Sequence, residues 1–202
     1  MTRIESVEEG AHGIVRLTLS GGSLFRFRAE YWDGPFLAGA EADEAALEAA
    51  AACQLAEDKA LSLLSRAEQY RLGMERKLQA RKLGTRAIAA ALDRLERLGL
   101  LSDERYAHAW MLQRCRGRAE GPASLRASLM GKGVERRAID AALRRLLEEE
   151  GAPALIDSAL KRIALPGALD SKEGIEEARM ALKRLGWKTG DIDEALDIRS
   201  LG

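Results

Sequence analysis

Two rhythms of apolar and polar residues divide this chain. Over its first thirty residues the rhythm has period two. Residues 13–20 are rich in β-formers (Ile14, Val15, Leu17, Leu19), and Leu24-Phe25-Arg26-Phe27-Arg28 alternates apolar with basic. This spacing predicts short strands over residues 3–9, 13–20 and 24–31, with Ser20-Gly21-Gly22-Ser23 as a hairpin turn. Two or three strands alone are marginal in water, so this element should pack on whatever follows. Gly34-Pro35 ends the alternation. From there the apolar residues recur every three to four positions. Ile88, Ala91, Leu92 and Leu95 share one helical face, and Ile139, Ala142, Leu143 and Leu146 share another.

The helical part repeats. Leu78, Leu129 and Leu182 occupy the same place in three blocks, at periods of 51 and 53 residues. Ten residues after each leucine stands an isoleucine (Ile88, Ile139, Ile192). An Ala-Leu pair follows each: Ala91-Leu92, Ala142-Leu143 and Ala195-Leu196. A repeat of this length with helical spacing indicates stacked multi-helix units. The blocks predict three helices each: about 54–70, 72–82 and 86–98; 103–116, 122–131 and 136–150; 153–164, 172–185 and 190–198. Thr85 is placed to cap the third helix and Gly99 to end it. Ser102-Asp103 opens the second block, Pro122 and Pro153 suit first helical positions, and Gly151 stops a long helix. The expected fold is mainly α: three tandem three-helix repeats in an elongated curved array behind a small β-hairpin or meander. The expected boundaries are 1–35 for the β element, then 40–100, 101–151 and 152–202 for the repeats. Leu78, Ile88, Leu92, Leu129, Ile139 and Leu143 should be core.

Composition agrees with helices. Of 202 residues, 47% are hydrophobic and 32% charged, while only 4% are aromatic. Ala, Leu, Arg and Glu dominate, and these are strong helix formers. Cys53 and Cys115 stand alone, and His12 and His108 have no ligand-like neighbours, which argues against a disulfide framework or a zinc site. No signal peptide and no apolar run of spanning length is visible, so the expected address is the cytoplasm. The formal net charge of zero conceals an asymmetry. Residues 40–58 hold 6 acidic side chains and no basic one, whereas residues 59–147 hold 20 basic and 9 acidic. A basic middle between acidic flanks suggests an anionic partner, either nucleic acid or an acidic protein surface.

The middle block carries a specific order of residues. It reads Leu100-Leu101-Ser102-Asp103-Glu104-Arg105-Tyr106-Ala107-His108-Ala109-Trp110. Arg114, Gly121-Pro122, Leu125, Leu129 and Lys132-Gly133-Val134 follow. This succession over residues 55–147 resembles the RecX family. The family pattern is a leucine-rich turn, an acidic helix start, Arg-aromatic-Ala, an arginine, Gly-Pro, then Leu-x3-Leu-x2-Lys-Gly-aliphatic. Two positions depart from it: Ser102 stands where members often carry a second acidic residue, and the turn of the first repeat reads Lys82-Leu83-Gly84. The resemblance implies tandem three-helix repeats that bind the groove of a RecA–DNA filament. It also implies inhibition of the filament's ATPase, strand-exchange and coprotease activities, without catalysis and without a cofactor. A monomer is expected, with weak direct binding to single- or double-stranded DNA and no membrane association.

The candidate contact residues are basic. Arg114-Cys115-Arg116-Gly117-Arg118 packs three arginines into five residues, joined in repeat two by Arg105, Arg126, Lys132, Arg136 and Arg137. Repeat one presents Arg76, Lys77, Arg81, Lys82 and Arg86 around its own turn. Guanidinium forks suit phosphates and carboxylates, although arginines at a helix end also complement the macrodipole. Arg114, Arg116, Arg118, Arg126, Lys132, Arg136 and Arg137 are expected on one continuous concave surface. Tyr106 and Trp110, four apart, read as core; Trp187 in the third turn stays open between core and surface. Asp103-Glu104 looks like helix-start charge rather than an acid–base pair. No phosphate loop, nucleophile elbow or HExxH motif is present. The alternative readings are a helical-repeat protein acting directly on nucleic acid, a scaffold for another protein, and, least supported, a hydrolase.

Overall fold

The computed structural model describes residues 2–164 and 167–200. It is 66% helical, with nine α-helices among the described residues and a small antiparallel sheet at the N-terminus. The chain divides into two compact units, Met1–Leu101 and Ser102–Gly202.

The first unit begins with β1 (Thr2–Glu9), β2 (Ile14–Leu19) and β3 (Leu24–Arg28), which form a meander. A two-residue β4 (Glu41–Ala42) adds to the other side of β1, giving the antiparallel order β3-β2-β1-β4. The expected hairpin turn is present, with Gly22 at φ +84° and its N–H donating to the Leu19 carbonyl at 2.8 Å. The third strand stops three residues earlier than its alternation suggests, because Ala29–Tyr31 close into a 3-10 turn. Val15, Leu17 and Leu19 point inward from β2 with Ile4 and Phe27, and Trp32 closes the same core.

The lid over this sheet is α1 (Glu44–Leu64). Asp43 caps it by accepting from the Ala45 N–H at 3.1 Å. The helix starts at Glu44 rather than at the expected position 54, and it ends at Leu64 rather than 70. The added turns are the alanine-rich acidic segment. Its leucines are few, so its periodicity is faint, yet Leu47 and Ala50 are buried against the sheet. The second half of α1 packs with α2 (Arg71–Gln79) and α3 (Thr85–Arg97) around Ala60, Met74, Leu78, Ile88, Leu92 and Leu95. Thr85 is not the cap of α3. Gly84 holds that position, without a side-chain hydrogen bond. Gly99 does end the helix, at φ +67°, with the Leu100 N–H reaching back to the Leu95 carbonyl at 2.8 Å.

The second unit contains α4 (Asp103–Arg118), α5 (Pro122–Lys132), α6 (Arg136–Glu150), α7 (Ala152–Ile163), α8 (Lys172–Arg184) and α9 (Thr189–Ser200). These lie within two residues of the expected bounds. Pro122 and Pro153 fall at helix starts and Gly151 separates α6 from α7. Within each group of three helices the first packs on the third: α1 on α3, α4 on α6, α7 on α9. All six expected core residues, from Leu78 to Leu143, are buried.

One turn recurs in all three groups. The residue four after each marker leucine has positive φ: Lys82 at +63°, Gly133 at +86° and Gly186 at +95°. The next residue turns inward and donates its N–H to that leucine's carbonyl. The bonds are Leu83 to Leu78 (3.5 Å), Val134 to Leu129 (3.1 Å) and Trp187 to Leu182 (3.1 Å). This is the six-to-one closure of a Schellman motif, which satisfies a terminal carbonyl and packs an apolar side chain beyond the helix. It assigns Trp187 to the core: the indole is buried and its Nε1–H donates to the Ala119 carbonyl at 2.9 Å. Lys82 therefore occupies the place of Gly133, so the Lys-Gly pair of repeat two aligns with Arg81-Lys82 in repeat one.

Candidate functional site

The second unit carries the densest set of candidate residues. Ser102 caps α4 by accepting from the Arg105 N–H at 3.2 Å, and Asp103 and Glu104 fill the first turn where carboxylates favour the helix dipole. Arg105 itself is half-buried. Tyr106, Trp110 and Arg114 follow four residues apart on one row of α4, and all three are half-buried rather than core. The core expectation for Tyr106 and Trp110 is thus corrected: Ala107, Met111 and Cys115 form the inner face of this helix. Trp110 instead supports two cations. The Arg114 guanidinium lies 4.7 Å and the Lys132 ammonium 5.8 Å from its ring centroid, within cation–π range. Arg114 Nε is also 3.2 Å from the Glu120 carboxylate.

The remaining basic residues of this unit have other surroundings. Arg116 is two residues beyond Arg114, about 200° around the helix, and binds Glu150 through both carboxylate oxygens at 3.0 Å. Arg126 binds Asp140 at 2.8 Å, and Arg136 approaches the same carboxylate at 3.7 Å. Arg118 and Arg137 are exposed and make no ion pair with a described residue. Arg114 and Arg116, two of the seven cations expected on one surface, therefore lie on different faces of α4, and four of the seven are paired with acids. Exposed pairs of this kind contribute little to stability, typically under about 1 kcal/mol each. They do reduce the charge available to a partner.

In the first unit Arg76, Lys77, Arg81, Lys82 and Arg86 are all exposed around the end of α2, the turn and the start of α3. Lys77 Nζ donates to the Gln69 side-chain oxygen at 2.5 Å and Arg81 donates to the Lys77 carbonyl at 3.1 Å. No carboxylate of a described residue pairs with any of the five.

One charged cluster was not anticipated. Glu57 on α1 is completely buried. Arg28 Nε donates to both its oxygens (2.8 and 3.0 Å), the Tyr31 hydroxyl donates at 2.7 Å, and Arg94 donates at 3.2 Å. Burial, reinforced by the hydrogen bond and charge of Glu57, pushes the Tyr31 phenol well above its usual range. A signal was present in the sequence: Glu57 lies at helical spacing from Ala50, Gln54 and Ala60, on the face that α1 turns inward. Its partners Arg28, Tyr31 and Arg94 lie 29, 26 and 37 residues away in the chain, beyond any local pattern. Cys115 is buried, its Sγ donating to the Glu120 carbonyl at 3.3 Å, and burial raises its thiol pKa from 9.0 to about 11. Among the described residues no three His, Cys, Asp or Glu side chains are placed to hold a metal ion, and no helix is long and apolar enough to cross a membrane.

This architecture defines a tandem three-helix-repeat protein with an N-terminal sheet, whose candidate contacts are surface cations and one cation-stacked indole. Residues 102–143 match the family model described as RecX, second three-helix domain. That match lies within the block whose order of residues implied a resemblance to the RecX family. A regulatory protein RecX of Pseudomonas fluorescens (strain SBW25) is 42% identical over 85 residues, covering 42% of this chain and 54% of the relative. That of Pseudomonas syringae pv. tomato is 40% identical over the same length. The matched stretch thus spans about half the length of these relatives. A crystal structure of regulatory protein RecX superposes with a TM-score of 0.71 at 20% identity, covering 98% of this chain and 100% of that one. RecX from Lactobacillus salivarius gives 0.60 at 19% identity, over 75% and 98%. At such identities the structural likeness establishes the fold.

Proposed function

We propose that this protein regulates a RecA-type recombinase by binding the RecA–DNA filament and lowering its ATPase, strand-exchange and coprotease activities. The observation that carries the reading is the RecX domain at residues 102–143, set in a chain that shares the RecX fold over nearly all its length. The protein acts as a cytoplasmic, non-catalytic monomer in this reading. Its contact residues are the cations without acidic partners, Arg118 and Arg137 in the second unit and the turn cluster of the first. Trp110 with Arg114 and Lys132 forms a half-exposed anchor within the second unit. Aromatic and arginine side chains in such settings are the usual energetic centres of interfaces.

The test is co-sedimentation with filaments of the cognate RecA, with and without single-stranded DNA, alongside the DNA-stimulated ATPase. Binding to the assembled filament and a fall in ATPase at well below one molecule per protomer are expected. Unchanged activity at stoichiometric amounts refutes the proposal. Arg118→Glu should weaken filament binding mainly through the on-rate, since interfacial charge steers association. Arg116→Glu should do less, because Glu150 already holds that guanidinium.

A further inference from the structure

Within the second unit the third repeat seats its turn on the second. The Gly121 N–H donates to the Leu185 carbonyl at 2.8 Å and the Ala123 N–H to the Gly186 carbonyl at 3.1 Å, while the Trp187 indole donates to Ala119 at the end of α4. The approach is close. A Cβ on Gly121 would lie 2.6 Å from the backbone of Gly186 and Trp187, and one on Gly186 would lie 2.5 Å from the Ser124 hydroxyl. The seat is thus Ala119, Gly121, Ala123 and Ser124. Its counterparts in the third repeat follow from the marker leucines: Gly174, Glu176 and Glu177 stand 53 residues after Gly121, Ala123 and Ser124, as Leu182 does after Leu129. Ala164 follows the last residue of α7 as Ala119 follows the last of α4. All four counterparts line one groove of about 660 Å³. Ile163, Ala178 and Ala181 give it an apolar floor, joined by the exposed Met180.

The two seats differ in what they offer. α8 begins earlier relative to its leucine than α5 does, and the Gly174 N–H is taken by the Ser171 hydroxyl at 3.1 Å. The third seat presents carboxylates instead of amides: Glu176 and Glu177 replace Ala123 and Ser124, and Glu173 joins them along the rim. Glu173 and Glu177 make no ion pair with a described residue, and Glu176 approaches Arg179 only at 3.8 Å. Arg184 is the single cation among the described residues of the groove. We infer that this groove binds the C-terminal corner of a basic helix from a protein partner: a helix end bearing lysine or arginine, then a left-handed glycine and an aromatic side chain. The corner seated one repeat earlier has this make-up, Lys183-Arg184-Leu185-Gly186-Trp187-Lys188. Cations are favoured in the last turn of a helix, so such a corner brings positive charge to the acidic rim while its aromatic ring enters the apolar floor. That is the usual anatomy of a protein interface. Nucleic acid is repelled by the same rim.

The experiment uses the full chain with labelled methionine methyl groups, read by NMR, and no recombinase or DNA. The probe is a lactam-bridged helical peptide copying residues 178–188, with a fluorophore so that anisotropy gives its affinity. Titration should shift the Met180 methyl saturably, through the ring of the incoming indole, while Met74, Met111 and Met130 stay in place. A peptide carrying Lys183→Glu, Arg184→Glu and Lys188→Glu should bind at least about tenfold more weakly, as should the original peptide to the protein variant Glu173→Gln/Glu176→Gln/Glu177→Gln. All three carboxylates are exposed, so the circular dichroism of that variant should match the wild type. Met180→Ala removes part of the floor without touching charge, and should also weaken binding. A Met180 methyl unmoved at saturating peptide overturns the inference. So does a charge-reversed peptide that binds equally well, or a pair of protein variants that both bind like the wild type. A Met180 shift that grows with protein concentration alone overturns it too, because the occupant is then a second copy of this chain. Since neither recombinase nor DNA is present, the filament reading can fail while this one stands, and the reverse.

Discussion

Replacing Glu57 by alanine tests whether the buried charge cluster joins the sheet to the first helical repeat. Arg28 comes from β3, Tyr31 from the 3-10 turn after it, Glu57 from α1 and Arg94 from α3. The carboxylate is fully buried, while the side chains of Arg28 and Arg94 are 16% and 14% exposed. Truncation leaves two nearly buried guanidiniums and a phenol without their shared acceptor. Breaking a buried ion pair by removing one partner costs about 3–5 kcal/mol. Arg94 keeps its contact with Glu30, and Arg28 its contact with the His12 carbonyl, so the lower end, about 3 kcal/mol, is expected. Glu57→Gln retains an acceptor for Tyr31 and should cost less. Urea unfolding followed by circular dichroism gives the loss, and amide exchange in β1–β3 reports whether the sheet loosens first. A double-mutant cycle with Arg94→Ala isolates the pairwise term. Asp140→Ala serves as the comparison, because its two arginine partners are largely exposed and such pairs contribute under about 1 kcal/mol. A loss below about 1 kcal/mol for Glu57→Ala, or no difference from Asp140→Ala, would show that the cluster does not fasten the sheet.

Two further expectations concern stability. Lys82→Gly removes a left-handed residue from the one turn of the three that lacks glycine; the αL penalty is about 1–2 kcal/mol, offset in part by the freedom of glycine in the unfolded chain. A gain of up to about 1 kcal/mol, or roughly 2–4 °C in thermal midpoint, should follow, and a loss would contradict the turn assignment. The Cys115 thiol pKa is raised from 9.0 to about 11 by burial first, then by the Glu120 and Glu150 charges. Above pH 9 the unfolded chain releases this proton more readily than the folded one. Stability present below pH 9 should therefore fall as pH rises toward 11, by on the order of 2–3 kcal/mol from this group. Cys115→Ala should flatten that part of the stability profile, and thiol labelling of the native protein near neutral pH should be slow at this position; rapid labelling there would mean the thiol is accessible.

The repeat, most helix limits and the inner faces were legible in the sequence because they are local. Apolar spacing of three and four marks which side chains turn inward, and glycine or proline marks where a helix cannot continue. Leu78, Leu129 and Leu182 thus announced the same corner three times, and the ordered motif of residues 100–134 pointed to the family. What depended on the tertiary structure is which groups meet. A cation beside Asp140 and a cation beside nothing look alike in sequence, since neutralisation depends on distances between helices rather than along them. Arg71 drawing Glu75, Asp93 and Glu96 to one end of a helix pair is such a fact. So is the placement of Glu57 against Arg28 and Arg94, which needs the sheet already folded under α1. The early turns of α1 were faint for the same reason: alanines satisfy a sheet that approaches closely, but they leave little periodic signal until that sheet is there to bury them. Trp110 and Trp187 make the contrast within one residue type. Trp110 lies within α4 and Trp187 in the turn after α8; one indole lies half-exposed under two cations and the other is buried with its N–H bonded to Ala119, because only the second stands one residue past a left-handed turn that folds it inward.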